Sequence, residues 1–521
     1  MRIQKLELAD TQAFSSFFLD YIHEKETLKP FYSLFPCIEN FKAQIESKAQ
    51  SFPQSSRTIL AEVLHKQYEA LAVSDATQTN IALLKNKNTF TITTGHQLNI
   101  FTGPLYFVYK IVTVINTCKQ LKQQYPDNNF VPVYWMASED HDYKEIKYFR
   151  AFGKKYVWET NQAGAVGRFN PQSIEKLFEQ VPGDVSVFKD AYSKNTTLSG
   201  AVRQYVNDLF GSEGLVVIDA DHPQLKQALI PVIKSDILEN TPANLVNQTN
   251  QQLEELGYHP QVNARDINFF YLEDSLRGRI EKKGEAFHVL DSKISFTADE
   301  IETQIETRPE AFSPNVILRP LYQELILPNL AYVGGPAELV YWLELKKVFD
   351  HFQQPFPILM PRNFALVVDA PTDRKMKKTG LELKLFFAQK NFIFNHWVLQ
   401  NSTRELTIGK EMQQLSALFE KLKIKATSID ATLSQFVGAQ AKHTENALNR
   451  IEQKMLRAEK RKHDEKLKQI EAVKDALFPN GNPQERTDNL LNFYPADPTF
   501  IHQLLTHFDP FDFRFHTLIY E

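Results

Sequence analysis

The densest chemistry in the sequence is Ser138-Glu139-Asp140-His141-Asp142, four ionisable side chains in five residues, directly after the apolar run Phe130-Val131-Pro132-Val133-Tyr134-Trp135-Met136. Holding such groups beside a protein interior is costly unless a ligand or a proton transfer uses them. They form either a site or a solvated acidic loop. Upstream, Thr94-Gly95-His96-Gln97 follows the β-branched, alternating run at residues 89–93. Thr102-Gly103-Pro104 then precedes an apolar face at helical spacing: Leu105, Val108, Ile111, Val112, Ile115 and Cys118. A helix that opens on Gly-Pro leaves backbone N–H groups free, and these suit an anion.

The elements that must position these groups read as one strand–helix–strand unit over residues 89–142. The helix runs to about Lys122, a polar turn follows at residues 125–129, and the second strand has the composition of one covered on both faces. Pro132 weakens that strand by removing a ladder donor. Parallel strands joined by a right-handed crossover open onto the same sheet edge, where ligands bind. That edge would carry Thr94, Gly95, His96, Gln97, Thr102 and Gly103 from the first strand and Ser138, Glu139, Asp140, His141 and Asp142 from the second.

A second dense stretch spans residues 313–342. Arg319 precedes a proline, Gln323 and Glu324 sit among apolar residues, and Tyr332-Val333-Gly334-Gly335-Pro336 reads as strand, turn and helix start, with Glu338 in the first turn. The two glycines permit close backbone approach and the helix start offers a second set of free N–H groups. Together with Arg319 and the earlier Gly-Pro start, they point to an anionic substrate. The run at residues 214–221 is a buried strand ending on Asp219 and Asp221, which either face the same crevice or cap a helix near His222-Pro223.

At 521 residues the chain predicts two to four domains, and 39 Phe with 23% charged residues is a globular balance. The net charge of −4 argues against a nucleic-acid partner. Cys37 and Cys118 alone build neither a disulfide framework nor a cysteine zinc site. No signal core and no membrane-length apolar run is present, so a cytoplasmic setting is expected. A zinc reading of His96, Asp140, His141 and Asp142 lacks the cysteine ligands, and no metal site is predicted.

Residues 1–380 read as the α/β core, helical over about 10–75, with small β insertions at about 146–168 and 264–296 and further strands at 357–362 and 364–369. The basic run Arg374-Lys375-Met376-Lys377-Lys378 is either a solvated turn or similar to the phosphate-gripping lysine loop of class I aminoacyl-tRNA synthetases. Residues 381–489 form a helical coiled-coil domain. Within it, residues 428–477 contain no proline and predict one helix of about 70 Å. Such a helix needs a partner, supplied by an antiparallel segment near residues 411–422 and by a second subunit. Its basic face, Lys454 to Lys462, is interleaved with acids and reads as solvated. A turn at residues 478–481 would bring Arg486 back to the core, and residues 490–521 return there with an alternating last strand.

Four segments carry a family resemblance: TGHQLNIFTGPLYFVYK (residues 94–110), PVYWMASEDHD (132–142), LRPLYQELILPNLAYVGGPAELVYW (318–342) and LFPNGNPQER (477–486). Over nearly its whole length the chain resembles the bacillithiol biosynthesis cysteine-adding enzyme family. One departure is Gly95-His96-Gln97, where the family pattern favours Gly-Gln-Gln. The resemblance implies an α/β fold with a Rossmann-like core related to class I nucleotidyltransferases, small connecting insertions, and an antiparallel helical coiled-coil hairpin that forms a homodimer. It also implies a ligase that joins L-cysteine by an amide bond to the glucosamine amine of glucosaminyl-malate, the last step of bacillithiol biosynthesis.

A carboxylate is a poor electrophile, so activation as an acyl-adenylate or acyl-phosphate is expected, with ATP/ADP and Mg as the cofactors. His96 and the helix start near Gly103 would then face phosphate oxygens. Arg319 or Arg486 would bind the malate carboxylates. Glu139, Asp140 or His141 would hold the amine and accept its proton. Thr94, Gly95, Gln97, Thr102, Ser138, Asp142, Gln323, Tyr332, Gly334 and Glu338 complete the expected substrate contacts. The alternative is a non-catalytic nucleotide-binding or scaffold protein on the same core, whose signature would be nucleotide binding without turnover.

Overall fold

The computed structural model describes residues 1–520. Its centre is a five-stranded sheet of β1 (Thr89–His96), β2 (Asn129–Met136), β3 (Val216–Asp219), β4 (Asn329–Gly334) and β5 (Ile358–Pro361). All neighbours are parallel and the order is β5-β4-β1-β2-β3. From β1 the chain winds outward through β2 and β3, then crosses over to build β4 and β5 on the other side. The crevice between β1 and β4 is therefore the topological switch point, where strand ends leave room for a ligand.

β1 is buried through its threonines as well as its apolar residues, because their hydroxyls have partners inside. Thr91 and Thr93 donate to Asn329 Oδ1 at 3.2 and 2.8 Å, and Thr94 donates to the Val333 carbonyl at 2.8 Å, tying β1 to β4. Asn329 in turn donates to Glu324, which forms a fully buried ion pair with Lys48 at 2.9 Å. Pro132 is tolerated in a central strand because β3 begins only opposite Val133, one residue further on.

The crossover helix α1 (Tyr106–Gln124) starts two residues later than the Gly103-Pro104 pattern predicts. Phe101, Thr102 and Gly103 all take positive φ, at 52°, 69° and 64°, in a tight turn ahead of the helix. A Cβ on Gly103 would stand 2.5 Å from that of Asn99, so glycine is required there. Helices α2 (Arg319–Ile326) and α3 (Pro336–Leu343) flank β4.

Tyr148–Ala151 and Lys154–Val157 form a hairpin, and Phe269–Glu273, Leu276–Lys283, Ala286–Val289 and Ser295–Phe296 form an antiparallel sheet that Phe312–Pro314 extends. Phe364–Val368 does not join the central sheet. It lies in a three-stranded sheet whose middle strand is Phe515–Ile519 and whose other edge is Arg2–Leu6, a strand the sequence pattern did not reveal.

Arg374 to Lys378, for which the sequence left a solvated turn or a phosphate-gripping loop, lie instead within a helix, Ala370–Thr379, capped by the Asp369 carboxylate. The helical domain pairs α4 (Gly409–Thr427) with α5 (Leu433–Lys462). The long helix is not continuous, since His463, with φ −108° and ψ 20°, separates α5 from α6 (Asp464–Leu477). Beyond α6 the chain docks back on the core. Gln484 bonds both the N–H and the carbonyl of Val367, and Glu485 clamps Arg362 at 2.9 and 2.6 Å. Among the described residues no helix is long and apolar enough to cross a membrane.

Candidate functional site

Two adjoining cavities open along the C-terminal edge of the central sheet. The first, about 300 Å³, lies at the switch point and is lined by Gly95, His96, Gln97, Tyr332 and Glu338, and by the cations Lys110, Arg319, Arg362 and Arg486. The second, about 350 Å³, lies beyond β2 and is lined by Ser138, Glu139, Asp140, Ala220, Phe270, Arg277, Asn315 and Val316 among others. Trp135, Ala137 and Arg319 belong to both. Gln97, Tyr106 and Arg486 continue the first cavity into an outer hollow of about 470 Å³ beside the 148–157 hairpin.

Most of the first cavity's charges are held by partners in its wall. Lys110 rises from the apolar face of α1, donates to the Gly95 carbonyl at 2.9 Å and pairs with Glu338 at 2.5 Å. Glu338 also accepts from the Tyr332 hydroxyl at 2.9 Å and, as a capping box at the start of α3, from Gly335 N–H at 2.7 Å. Burial alone would raise the Glu338 carboxyl, but Lys110 and these donors hold it below its ordinary value. Arg319 sits among the rings of Trp135, Tyr332 and Trp342 at 5.5–5.8 Å. Its Nη1 donates to Gln323, the Tyr341 hydroxyl lies beside the guanidinium, and its Nη2 has no well-aligned acceptor. A donor so placed in a cavity wall is available to a ligand. Arg362 lies over Tyr106 at 5.3 Å, and its Nε is likewise unpartnered. A Cβ on Gly95 would come within 3.5 Å of both the Tyr332 hydroxyl and Arg319 Nη1, so glycine keeps this floor open.

His96 stacks on Phe107 at 5.2 Å and meets Tyr106 edge-on. Burial, reinforced by Lys110, pushes its imidazole down to about 3. It is therefore neutral at physiological pH, offering one donor and one acceptor and no positive charge, and its Nε2 is buried without a partner.

In the second cavity Glu139 is paired with Lys226, itself fully buried, and accepts from Ser313 at 3.1 Å. Burial, with Lys226 opposing it, leaves the Glu139 carboxyl raised. Asp140 behaves oppositely. Burial pushes it up, but Gln97 donating at 2.9 Å, Arg277 at 3.7 Å and the His141 and Asp142 N–H groups bring it below its ordinary value. Arg277, 8% exposed, reaches in from the 269–296 sheet, lies 3.9 Å over Phe270 and meets His141 Nδ1 at 2.6 Å. The loop is fastened from outside as well. Gly167 N–H donates to the Ser138 carbonyl at 2.7 Å, an approach that a Cβ on Gly167 would block, and Ser138 donates to Asp219. Asp221 pairs with Arg168 at 2.9 Å, and the helix start at Pro223 is capped by His222, not by either aspartate.

Of the residues singled out in the sequence, the structure brings Gly95, His96, Gln97, Arg319, Tyr332, Glu338 and Arg486 to the first cavity and Ser138, Glu139 and Asp140 to the second. His141 stands at the rim on Arg277. Five residues lie apart from both cavities for structural reasons. Thr94 bonds β4, Gly334 packs under Tyr332 and Leu339, Gln323 braces Arg319 from behind, and Thr102 and Gly103 are buried under the C-terminal segment. Asn489 donates to the carbonyls of Phe101 and Gly103 at 2.6 Å each, and Leu105 N–H bonds Asp488, so this turn is closed by protein and does not face an anion. Asp142 is exposed. Among the described residues no three of His, Cys, Asp and Glu converge as metal ligands. Sequence reasoning missed Lys110, Arg277, Arg362 and Lys226. Lys110 alone had a local signal, a lysine among Val108, Ile111 and Val112 on an apolar helix face.

Two family models match: the N-terminal Rossmann-like domain of bacillithiol biosynthesis BshC over residues 1–363, and its C-terminal coiled-coil domain over residues 365–520. Relatives bearing the name "Putative cysteine ligase BshC" include one from Cytophaga hutchinsonii, 41% identical over all of this chain and 99% of that protein. Another from Flavobacterium psychrophilum is 43% identical over 92% of each, and one from Chlorobaculum tepidum is 30% identical over 84% of each. With both domains matched and the switch-point cavity in place, the chain belongs to the bacillithiol biosynthesis BshC family.

Proposed function

We propose that the protein is a ligase that forms an amide between L-cysteine and the amine of glucosaminyl-malate, the last step of bacillithiol biosynthesis. The observation that carries the proposal is a cation-lined cavity at the switch point sharing Arg319 with a carboxylate-lined one. An acceptor bearing two carboxylates suits the first cavity, where Arg362 Nε lacks a protein partner and Arg486 reaches in from beyond α6. His96, neutral, matches a hydroxyl or amide of the substrate, as the glutamine of the family pattern would. Glu139, raised by burial, is the group suited to take the proton released when the amine attacks. Arg319, facing both cavities, is placed to stabilise charge developing on the carboxyl oxygen.

ATP is the co-substrate expected to turn the cysteine carboxyl into an electrophile. The strand order β5-β4-β1-β2-β3 supports a relationship to class I nucleotidyltransferases. The protein is proposed to act as a homodimer through the hairpin, where Leu418, Leu422 and Phe436 are exposed. Light scattering would find twice the chain mass, and polar replacements at Leu418 and Phe436 would reduce it to one.

The direct test incubates the protein with glucosaminyl-malate and L-cysteine, with and without ATP and magnesium, and reads product by mass spectrometry. Bacillithiol formed only with ATP is the expected result. Nucleotide binding with no product under any condition would replace the ligase reading.

A further inference from the structure

The second cavity has the polarity of a free α-amino acid. Its wall carries the Asp140 carboxylate, held ionised by Gln97 and Arg277. It also carries Arg319, shared with the first cavity, whose Nη2 has no hydrogen-bond partner. Met136, Ala220 and Val316 add apolar surface to the same wall. The remaining cations are occupied. Arg277 is held by Ser313, the Pro314 carbonyl and His141, while Lys226 is held by Glu139 and the Phe312 carbonyl. The cavity thus presents the ionised Asp140 carboxylate and the Arg319 guanidinium, together with apolar side chains, in about 350 Å³.

Resting on the ligase reading above, we propose that this second cavity is the cysteine site. The zwitterion places its ammonium on Asp140, its thiol against Met136, Ala220 and Val316, and its carboxylate on Arg319. That orientation carries the carboxyl to the junction with the first cavity, where the acceptor amine arrives. Arg319 then stands where the two substrates meet.

The test is calorimetric titration of the full-length protein, in the presence of glucosaminyl-malate, with L-cysteine, N-acetyl-L-cysteine and cysteamine. Loss of the ammonium or of the carboxylate should each weaken binding by about tenfold or more, the worth of a charged hydrogen bond. In Asp140→Asn, L-cysteine should fall to the level of N-acetyl-L-cysteine, so that the discrimination vanishes. A merely structural role for Asp140 would weaken both ligands alike. Val316→Trp, built at a 45% exposed position that tolerates bulk, should remove L-cysteine binding and leave glucosaminyl-malate binding within about twofold. Wild-type protein that binds no L-cysteine, or variants that bind it unchanged, would overturn the assignment. The ligase reading fails separately: the expected binding pattern with no bacillithiol formed retains the cavity and rejects the reaction. Bacillithiol formation with an unchanged cysteine KM in Val316→Trp does the reverse.

Discussion

The two cavities share a wall and differ in how their charges are held. On the acidic side Glu139 and Asp140 are matched by Lys226, Ser313, Gln97 and Arg277. On the cationic side Lys110 and Arg362 have carboxylate partners, yet Arg319 and Arg362 each keep an unpartnered donor and Arg486 has no ion pair among the described residues. A site whose protein charges already balance can select by shape and orientation. One with donors left over draws an anion, and the difference assigns the strong electrostatic pull to the switch point.

The largest expected effect comes from breaking the clamp on the cationic side. Glu485→Ala leaves Arg362 buried without its bidentate partner and should destabilise the fold by about 3–5 kcal/mol, measured by chemical denaturation. A loss below about 1 kcal/mol would mean that water replaces the carboxylate and that the cavity is not preorganised. Next, Arg319→Ala should lower turnover by about 10²- to 10³-fold with unchanged circular dichroism, and Lys should not restore it, because a compact ammonium cannot face both cavities. If Arg319→Lys works, the shared wall is incidental. Arg486→Ala should raise the KM for glucosaminyl-malate by about tenfold and leave that for cysteine unchanged, since Arg486 lines only the cationic side.

The smallest effect is on pH dependence. Asp140 is held below its ordinary 3.8, so it stabilises the fold above that pH and loses the contribution as pH falls through its native pKa. The stability gap between wild type and Asp140→Asn should therefore be full at neutral pH and close as the solution is acidified below about 4. A gap that widened on acidification would place Asp140 with Glu139, among carboxyls whose pKa burial raises.

The strand–helix–strand unit was legible because side-chain period and turn chemistry are local. The β-branched run gave β1, the 3.6-residue spacing gave α1, and the acidic cluster marked the end of β2. The small β insertions and the return of Arg486 were legible for the same reason. What escaped was convergence across the chain. Arg277 meets Asp140 from 137 positions away in sequence, and Lys226 and Arg362 reach the site or its wall from separate elements, with no periodicity to announce them. The Gly103-Pro104 turn had the right chemistry for an anion, but nothing near it in sequence foretold that Asn489 would cover it. The long helix was read as continuous because no proline or glycine marks His463, where the break lies in φ and ψ alone.

The three-stranded sheet also constrains when the site can exist. Its middle strand, Phe515–Ile519, is synthesised after both neighbours, Arg2–Leu6 and Phe364–Val368. The clamp at Glu485 and the seal at Asn489 likewise come late. While the ribosome is still making those residues, the earlier strands have no ladder partner and Arg362 has no carboxylate, so the cleft is unfinished. Assembly of the site is thereby gated by elongation: a chain stalled before residue 485 carries every acidic residue of the second cavity and still lacks Arg486 and the carboxylate that fixes Arg362 in the first.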